Sequence, residues 1–408
     1  MIQEYHFFLF VLSLSYLLLR VTSLVKGNVF TVLIFIRLTG KVCKGKGFIM
    51  EIPIDLSEIT AEWLEQAFNS SEQFQDVRIE SISCTNIGEG TGIFGEIGLL
   101  TISYISQGLA PDSVVVKLPC IEPENLAVAQ ALGLYAREVA FYENIATSSV
   151  LRVPECFYSF LGDNGRFVLI IEDLSVDYIV GDQIEGGTHA QILNAIDTLA
   201  GFHAQWWESS DLDELDWLPV PDDPAYMATV PEIYRGGLPV LINEWESRVP
   251  KESIEVAKIL EPIFEEIMLA FAEGPHTFSH ADTRLDNLFF PKSESSEVAF
   301  IDFQLCLRGR GINDIAYLVG NSVPKEIASK NWQTYIQYWL DALARNGVNY
   351  SFDDAVLHYR QAVLYYTVGA MSLIASFDTG NERGAAMAEA YVTRIFNHVV
   401  DTEARLAL

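Results

Sequence analysis

The stretch His280-Ala281-Asp282-Thr283-Arg284-Leu285-Asp286-Asn287, with Asp302 following in Ala299-Phe300-Ile301-Asp302-Phe303-Gln304, decides how this chain is read. Its H-x-D-x-x-x-x-N spacing has a chemical reason. A loop of this length aims one carboxylate, Asp282, at a hydroxyl, while an amide five residues on, Asn287, turns back to hold a metal ion. Asp302 supplies the main metal carboxylate. An Asp-Asn-Asp set offers hard oxygen ligands, which suit Mg²⁺ bridging phosphate oxygens. The chemistry expected of such a set is phosphoryl transfer.

The rest of the chain is consistent with that chemistry and excludes others. At 408 residues it is long enough for one large core or two modest lobes. A formal charge of −29 argues against a nucleic-acid partner, because affinity for phosphate backbones comes from clustered Lys and Arg. Cys43, Cys84, Cys120, Cys156 and Cys306 are scattered and form no C-x-x-C, so neither a disulfide framework nor a zinc site is expected. A reducing compartment, the cytoplasm, fits best. Residues 1–49 differ from the body: Arg20, Lys26, Arg37, Lys41, Lys44 and Lys46 stand against the single Glu4. Their apolar run from Tyr5 to Val25 approaches the length needed to cross a bilayer, and the basic residues after it would leave the body in the cytoplasm. Two readings of this segment stand side by side. It is a membrane anchor, with any membrane association confined to residues 1–40, or an over-long gene reading ahead of Met50, after which Thr60 N-caps a first amphipathic helix.

Along the body, residues 76–84 alternate apolar and polar as a strand does. The glycines Gly90, Gly92 and Gly95 then match G-x-G-x-x-G. A dinucleotide-binding turn would open a helix at this point, but residues 97–105 read as another strand, so the glycines mark a strand-loop-strand flap over phosphates. The strand 113–119 carries Lys117 at the end of a β-branched run. A lysine there needs a partner, since an unpaired buried ammonium is costly, and Glu138 on the helical stretch 134–142 is the natural one. Residues 167–174 form an apolar strand ending in acids, read as the hinge that meets adenine. Beyond it, residues 190–207, 259–271, 331–343 and 355–376 repeat apolar positions with helical spacing. The acidic stretch 207–250 has weak periodicity and is read as a substrate-side insertion.

Gly90-Thr-Gly92, Val-Val-Lys117, Arg137-Glu138-Val-Ala-Phe-Tyr142, Leu199-Ala-Gly-Phe-His203-Ala-Gln-Trp206, His280-Ala-Asp282 through Asn287 and Ile301-Asp302-Phe-Gln304 together resemble the aminoglycoside phosphotransferase and choline kinase superfamily, and within it the CHK kinase-like, ecdysteroid kinase-like group. The resemblance spans nearly all of residues 51–400. It implies an α+β, two-lobed protein-kinase-like fold, with an antiparallel sheet and helix in an N-lobe over 51–172 and a mainly helical C-lobe over 173–408. It also implies ATP- and Mg²⁺-dependent phosphorylation of a hydroxyl on a small molecule. In that reading Asp282 is the catalytic base, and Asn287 and Asp302 hold the metal. Lys117 with its partner Glu138, and the glycines Gly90 and Gly92, hold the nucleotide. Asp314 matches a later aspartate of structural role. Ala281 stands where the group usually has glycine. Phe303-Gln304 in place of Phe-Gly, and the absence of an activation segment between Asp302 and Asp314, argue against a protein kinase.

The bland readings also have weight. His280 and His203 are read as hydrogen-bonded bracing groups, and Trp206, Trp207 and Trp217 as core or pocket wall. Arg284 and Asp286 either touch phosphate or substrate or pair with each other. A catalytically silent nucleotide- or metabolite-binding protein on the same scaffold is the alternative function.

Overall fold

The computed structural model describes residues 6–13, 16–25, 28–37, 51–71, 73–87, 94–162, 166–293, 297–376 and 382–408. Gly90 and Gly92 lie outside them. Strands β1 (His6–Ser13), β2 (Tyr16–Val25) and β3 (Asn28–Arg37) pair antiparallel in the order β1-β2-β3. The apolar run expected to span a bilayer is thus divided between β1 and β2, which suits its Val, Phe, Tyr and Thr residues. Among the described residues, no helix is long and apolar enough to cross a membrane.

The chain divides into two compact units, one of residues 1–139 and 156–172, the other of residues 140–155 and 173–408. In the first, helix α1 (Ala61–Asn69) begins where expected, with the Thr60 hydroxyl accepting from the Trp63 N–H at 3.1 Å. Strands β4 (Arg78–Asn86), β5 (Gly95–Ser106), β6 (Ser113–Pro119), β7 (Cys156–Leu161) and β8 (Phe167–Glu172) form an antiparallel sheet in the order β4-β5-β6-β8-β7. Helix α1 packs Leu64 and Phe68, both fully buried, with Val114, Val116 and Leu118 of β6 in one core. Burial of each such side chain contributes about 1.5–3 kcal/mol. Two further helices, α2 (Pro123–Ala131) and α3 (Leu134–Asn144), follow β6.

The second unit is mainly helical: α4 (His189–Trp206), α5 (Pro224–Glu244), α6 (Lys251–Leu260), α7 (Phe264–Ala272), α8 (Gly311–Ser322), α9 (Lys325–Arg345), α10 (Phe352–Ser376) and α11 (Glu382–Asp401). Short strands carry the loops of interest. Strand β9 (Tyr178–Val180) pairs with β11 (Leu288–Pro291), which pairs with β12 (Ala299–Phe300), and β10 (Thr277–Ser279) pairs with β13 (Leu307–Gly309). The stretch 207–250 is more ordered than its periodicity suggests, because α5 continues through Pro231 and Pro239. Each of these prolines removes a helical hydrogen bond, and tertiary packing overrides the loss. At Gly237 a Cβ would stand 2.5 Å from Met371, so only glycine lets α5 lie this close to α10.

Candidate active site

In the first unit the register of β6 sets the lysine. Lys117 faces Ile97 of β5 on one side and Leu169 of β8 on the other, within the middle of the sheet. Its side chain is 8% exposed and that of Glu138 is 1% exposed. The ammonium donates to Glu138 Oε1 at 2.9 Å and stands 2.8 Å from Oε2. The expected pairing is therefore formed, and it sets two opposite charges against each other where burial would otherwise make each costly.

In the second unit the loop after β10 is built around Asp314 on α8. Its Oδ1 accepts from the Ser279 hydroxyl at 2.7 Å and the Ala281 N–H at 2.8 Å. Its Oδ2 accepts from the His280 N–H at 2.8 Å and His203 Nε2 at 3.0 Å. Burial alone would raise this carboxyl, but the bond from His203, the neighbouring imidazoles and the Ser279 hydroxyl hold it below the ordinary carboxylate range. The Thr283 hydroxyl donates to the Asp314 carbonyl at 2.8 Å, which ties the loop to α8 a fourth time.

Both histidines are fixed as one tautomer. The Trp339 indole can only donate, and it does so to His203 Nδ1 at 3.1 Å, so the His203 proton sits on Nε2 and points at Asp314. The Asp282 N–H donates to His280 Nδ1 at 3.2 Å, and Nε2 of the same ring donates to the Ile301 carbonyl at 2.9 Å. His280 also packs on Phe303, which stacks on Phe141 with ring centroids 3.5 Å apart. These are bracing roles. The tryptophans are likewise packing groups: Trp206 and Trp217 sit against Phe278, and Trp207 against Trp339 and Tyr350.

The carboxylate and the amide meet as their spacing requires. Asn287 Nδ2 donates both to the Asp282 carbonyl and to Asp282 Oδ2, each at 2.9 Å. Arg284 Nε stands 3.6 Å from the same Oδ2. Asp282 Oδ1 and Asn287 Oδ1 are the halves of the two groups that these contacts do not use. The backbone brings in the third member, since the Ile301 N–H donates to the Asn287 carbonyl at 3.0 Å and so anchors Asp302 beside the loop. Ala281 and Asp302 both adopt left-handed backbone, with φ of 61° and 66°, which ordinarily favours glycine. Among the described residues no three His, Cys, Asp or Glu side chains converge as a metal cluster.

Arg284 and Asp286 turn to different partners. Arg284 lies beside Asp282, whereas Asp286 Oδ1 accepts from the Gln183 N–H at 3.1 Å and stands 3.7 Å from Arg383. Gln183 is the residue that sequence reasoning missed. Buried between β9 and α4, its Oε1 accepts from the Leu285 N–H and the Ser322 hydroxyl, each at 2.9 Å, and its Nε2 donates to the Asn321 carbonyl at 2.9 Å. It cross-links the loop to the end of α8, and a lone glutamine in a loop carries no signal for such a role.

Comparison with known proteins sets this geometry in context. The model of the ecdysteroid kinase-like family matches residues 99–349. An uncharacterized kinase-like protein of Caenorhabditis elegans is 23% identical over 310 residues, covering 70% of this chain and 79% of its own length. Among solved structures, the GDP complex of wild-type aminoglycoside 2'-phosphotransferase-IIIa is 13% identical, covers 83% of this chain and 99% of its own, and superposes with a TM-score of 0.51. The choline kinase of Streptococcus pneumoniae is 15% identical, with coverages of 82% and 97% and a TM-score of 0.46. The fold is α+β and kinase-like.

Proposed function

This chain belongs to the ecdysteroid kinase-like family, and from that premise we propose that it is an ATP- and Mg²⁺-dependent phosphotransferase acting on a hydroxyl of a small molecule. The observation that carries the reading is the pair of hydrogen bonds that Asn287 Nδ2 donates to the backbone carbonyl and the side chain of Asp282. It orients Asp282 with Oδ2 occupied and Oδ1 available to an acceptor hydroxyl, and it commits Asn287 Nδ2, which leaves Asn287 Oδ1 as the hard oxygen ligand. Asp302, tethered through Ile301, supplies the carboxylate of the same ligand set. The residues present therefore fit Mg²⁺. When bound there, the ion would neutralise charge on the β- and γ-phosphate oxygens.

In this reading Lys117, held by Glu138, takes the α- and β-phosphates, with Gly90 and Gly92, outside the described residues, as the further nucleotide-binding positions that the sequence suggests. Asp282 Oδ1 orients the acceptor hydroxyl and receives its proton as the acceptor oxygen bonds to the γ-phosphorus. The bond from that phosphorus to the β-bridging oxygen breaks, and ADP leaves. Positioning and charge neutralisation supply the acceleration, with the protein forming no covalent bond to the phosphoryl group. The test is ADP release by the purified protein over a panel of hydroxylated small molecules, with Asp282→Ala as control. Turnover on one acceptor class that vanishes in the variant supports the reading. Turnover undiminished in the variant removes Asp282 from its role, and nucleotide binding without turnover on any acceptor favours the silent scaffold.

A further inference from the structure

Arg284 stands inside the loop that joins Asp282 to Asn287, and its place there is fixed from both sides. The Thr283 hydroxyl donates to the Asp314 carbonyl at 2.8 Å, and the Leu285 N–H donates to Gln183 Oε1 at 2.9 Å. Both neighbours are buried. The Arg284 carbonyl in turn accepts from the Asn287 N–H at 3.0 Å, which closes the turn that brings the amide back to Asp282. An exposed arginine gives up rotamer freedom to pair with an acid, and such pairs contribute little. Here the backbone on either side is already anchored, so the side chain starts from a fixed point.

That side chain is 18% exposed, and its Nε is buried without a hydrogen-bond partner among the described residues. The carboxylate it pairs with is that of Asp282, whose Oδ2 lies 3.6 Å from Nε. The separation is too long for a hydrogen bond and short enough for a charge contact. Asp286, two residues on, is engaged elsewhere, by the Gln183 N–H and Arg383. Burial alone would depress the guanidinium, but the Asp282 carboxylate leads the charges that raise it above its ordinary value. Oδ2 is thus held by two different forces: Asn287 Nδ2 supplies direction at 2.9 Å, and Arg284 supplies charge. Without the guanidinium, one neutral amide would hold the carboxylate against its tendency to turn towards water.

We propose that Arg284 is a positioning residue for phosphoryl transfer: its charge, acting with the Asn287 amide, holds Asp282 Oδ2 so that Oδ1 stays presented to the acceptor hydroxyl. The inference rests on the phosphotransfer reading and adds to it a residue that acts through Asp282 and takes no proton itself.

The test compares wild type with Arg284→Met, which keeps length, and Arg284→Lys, which keeps charge, in ADP-release kinetics and in crystals. Arg284→Met is expected to lower kcat by about 10- to 100-fold, with the KM for ATP and for the acceptor each within about twofold of wild type. Arg284→Lys should recover most of that loss, since no forked pair is made that only a guanidinium could supply. In crystals of Arg284→Met, the Asp282 carboxylate should have turned, with its separation from Asn287 Nδ2 lengthened beyond about 3.5 Å. A carboxylate that keeps its place in this variant overturns the proposal whatever the rates. An unchanged kcat in Arg284→Met, or a Lys variant as slow as the Met variant, overturns it too. If wild type turns over no acceptor, the phosphotransfer reading is what fails, and the crystal comparison still decides whether Arg284 holds Asp282. Should Arg284→Met fail to fold, Arg284→Gln, neutral and polar, carries the same two measurements.

Discussion

Two buried carboxylates, Glu138 in the first unit and Asp314 in the second, are held by opposite means. Glu138 takes the Lys117 ammonium on both oxygens, charge against charge. Asp314 is wrapped by four donors, two of them backbone N–H groups of the loop it supports. The difference bears on what each can position. An ion pair fixes the distance between two side chains and leaves them free to swing together, whereas four donors on two oxygens fix the orientation of a backbone segment. The lysine is poised by attraction, the loop by geometry.

The sharpest way to break that comparison is to remove Asp302, the proposed metal carboxylate, which is not among the donors and acceptors around Asp314. Asp302→Ala should lower ADP release by about 10³-fold or more while the melting temperature stays close to wild type. A large loss of stability would show that Asp302 props the loop as Asp314 does. Next in size, Lys117→Met takes the ammonium away from the buried Glu138 and should destabilise by about 3–5 kcal/mol in urea unfolding. Adding Glu138→Leu should recover most of that stability without restoring turnover. If the double variant is no more stable than the single, the pair is not held by charge.

A pH series probes the other partner of the comparison. Asp314 titrates below the ordinary value, so its contribution is complete above the unfolded-chain value of about 4 and is lost as pH falls below that towards the folded value. The urea midpoint of wild type should therefore fall more steeply below about pH 4 than that of Asp314→Asn. Parallel profiles would mean that the four donors do not depress the carboxyl. The smallest effect is expected at Ala281, whose φ of 61° strains any side chain. Ala281→Gly should raise stability by up to about 1 kcal/mol, measured as an upward shift of a few degrees or less.

Much of this arrangement was legible in the sequence because its spacing carries its chemistry. Lys117 at the end of a β-branched run demanded a partner, and Glu138 is that partner. Thr60 marked a helix start, and the loop from His280 to Asn287 announced which groups must face each other. Other parts left no trace. Every residue of α8 is buried, so no polar face alternates with an apolar one and the helical period disappears. Helix α5 hides behind two internal prolines. The run read as one helix over 259–271 is interrupted at Pro262, where a short 3-10 turn joins α6 to α7. Gln183 acts through contacts more than a hundred residues away, which no local pattern encodes.

The tautomers of the two histidines have a consequence for metal selectivity. A neutral imidazole is ordinarily an invitation to zinc, copper or nickel, whose affinities for nitrogen ligands far exceed that of magnesium. Here the lone pair of His203 is committed to the Trp339 indole and that of His280 to the Asp282 amide, while both Nε2 protons face oxygen acceptors. If the proposed Mg²⁺ site forms at this loop, neither imidazole then offers a free nitrogen on which soft competitors could gain their usual advantage.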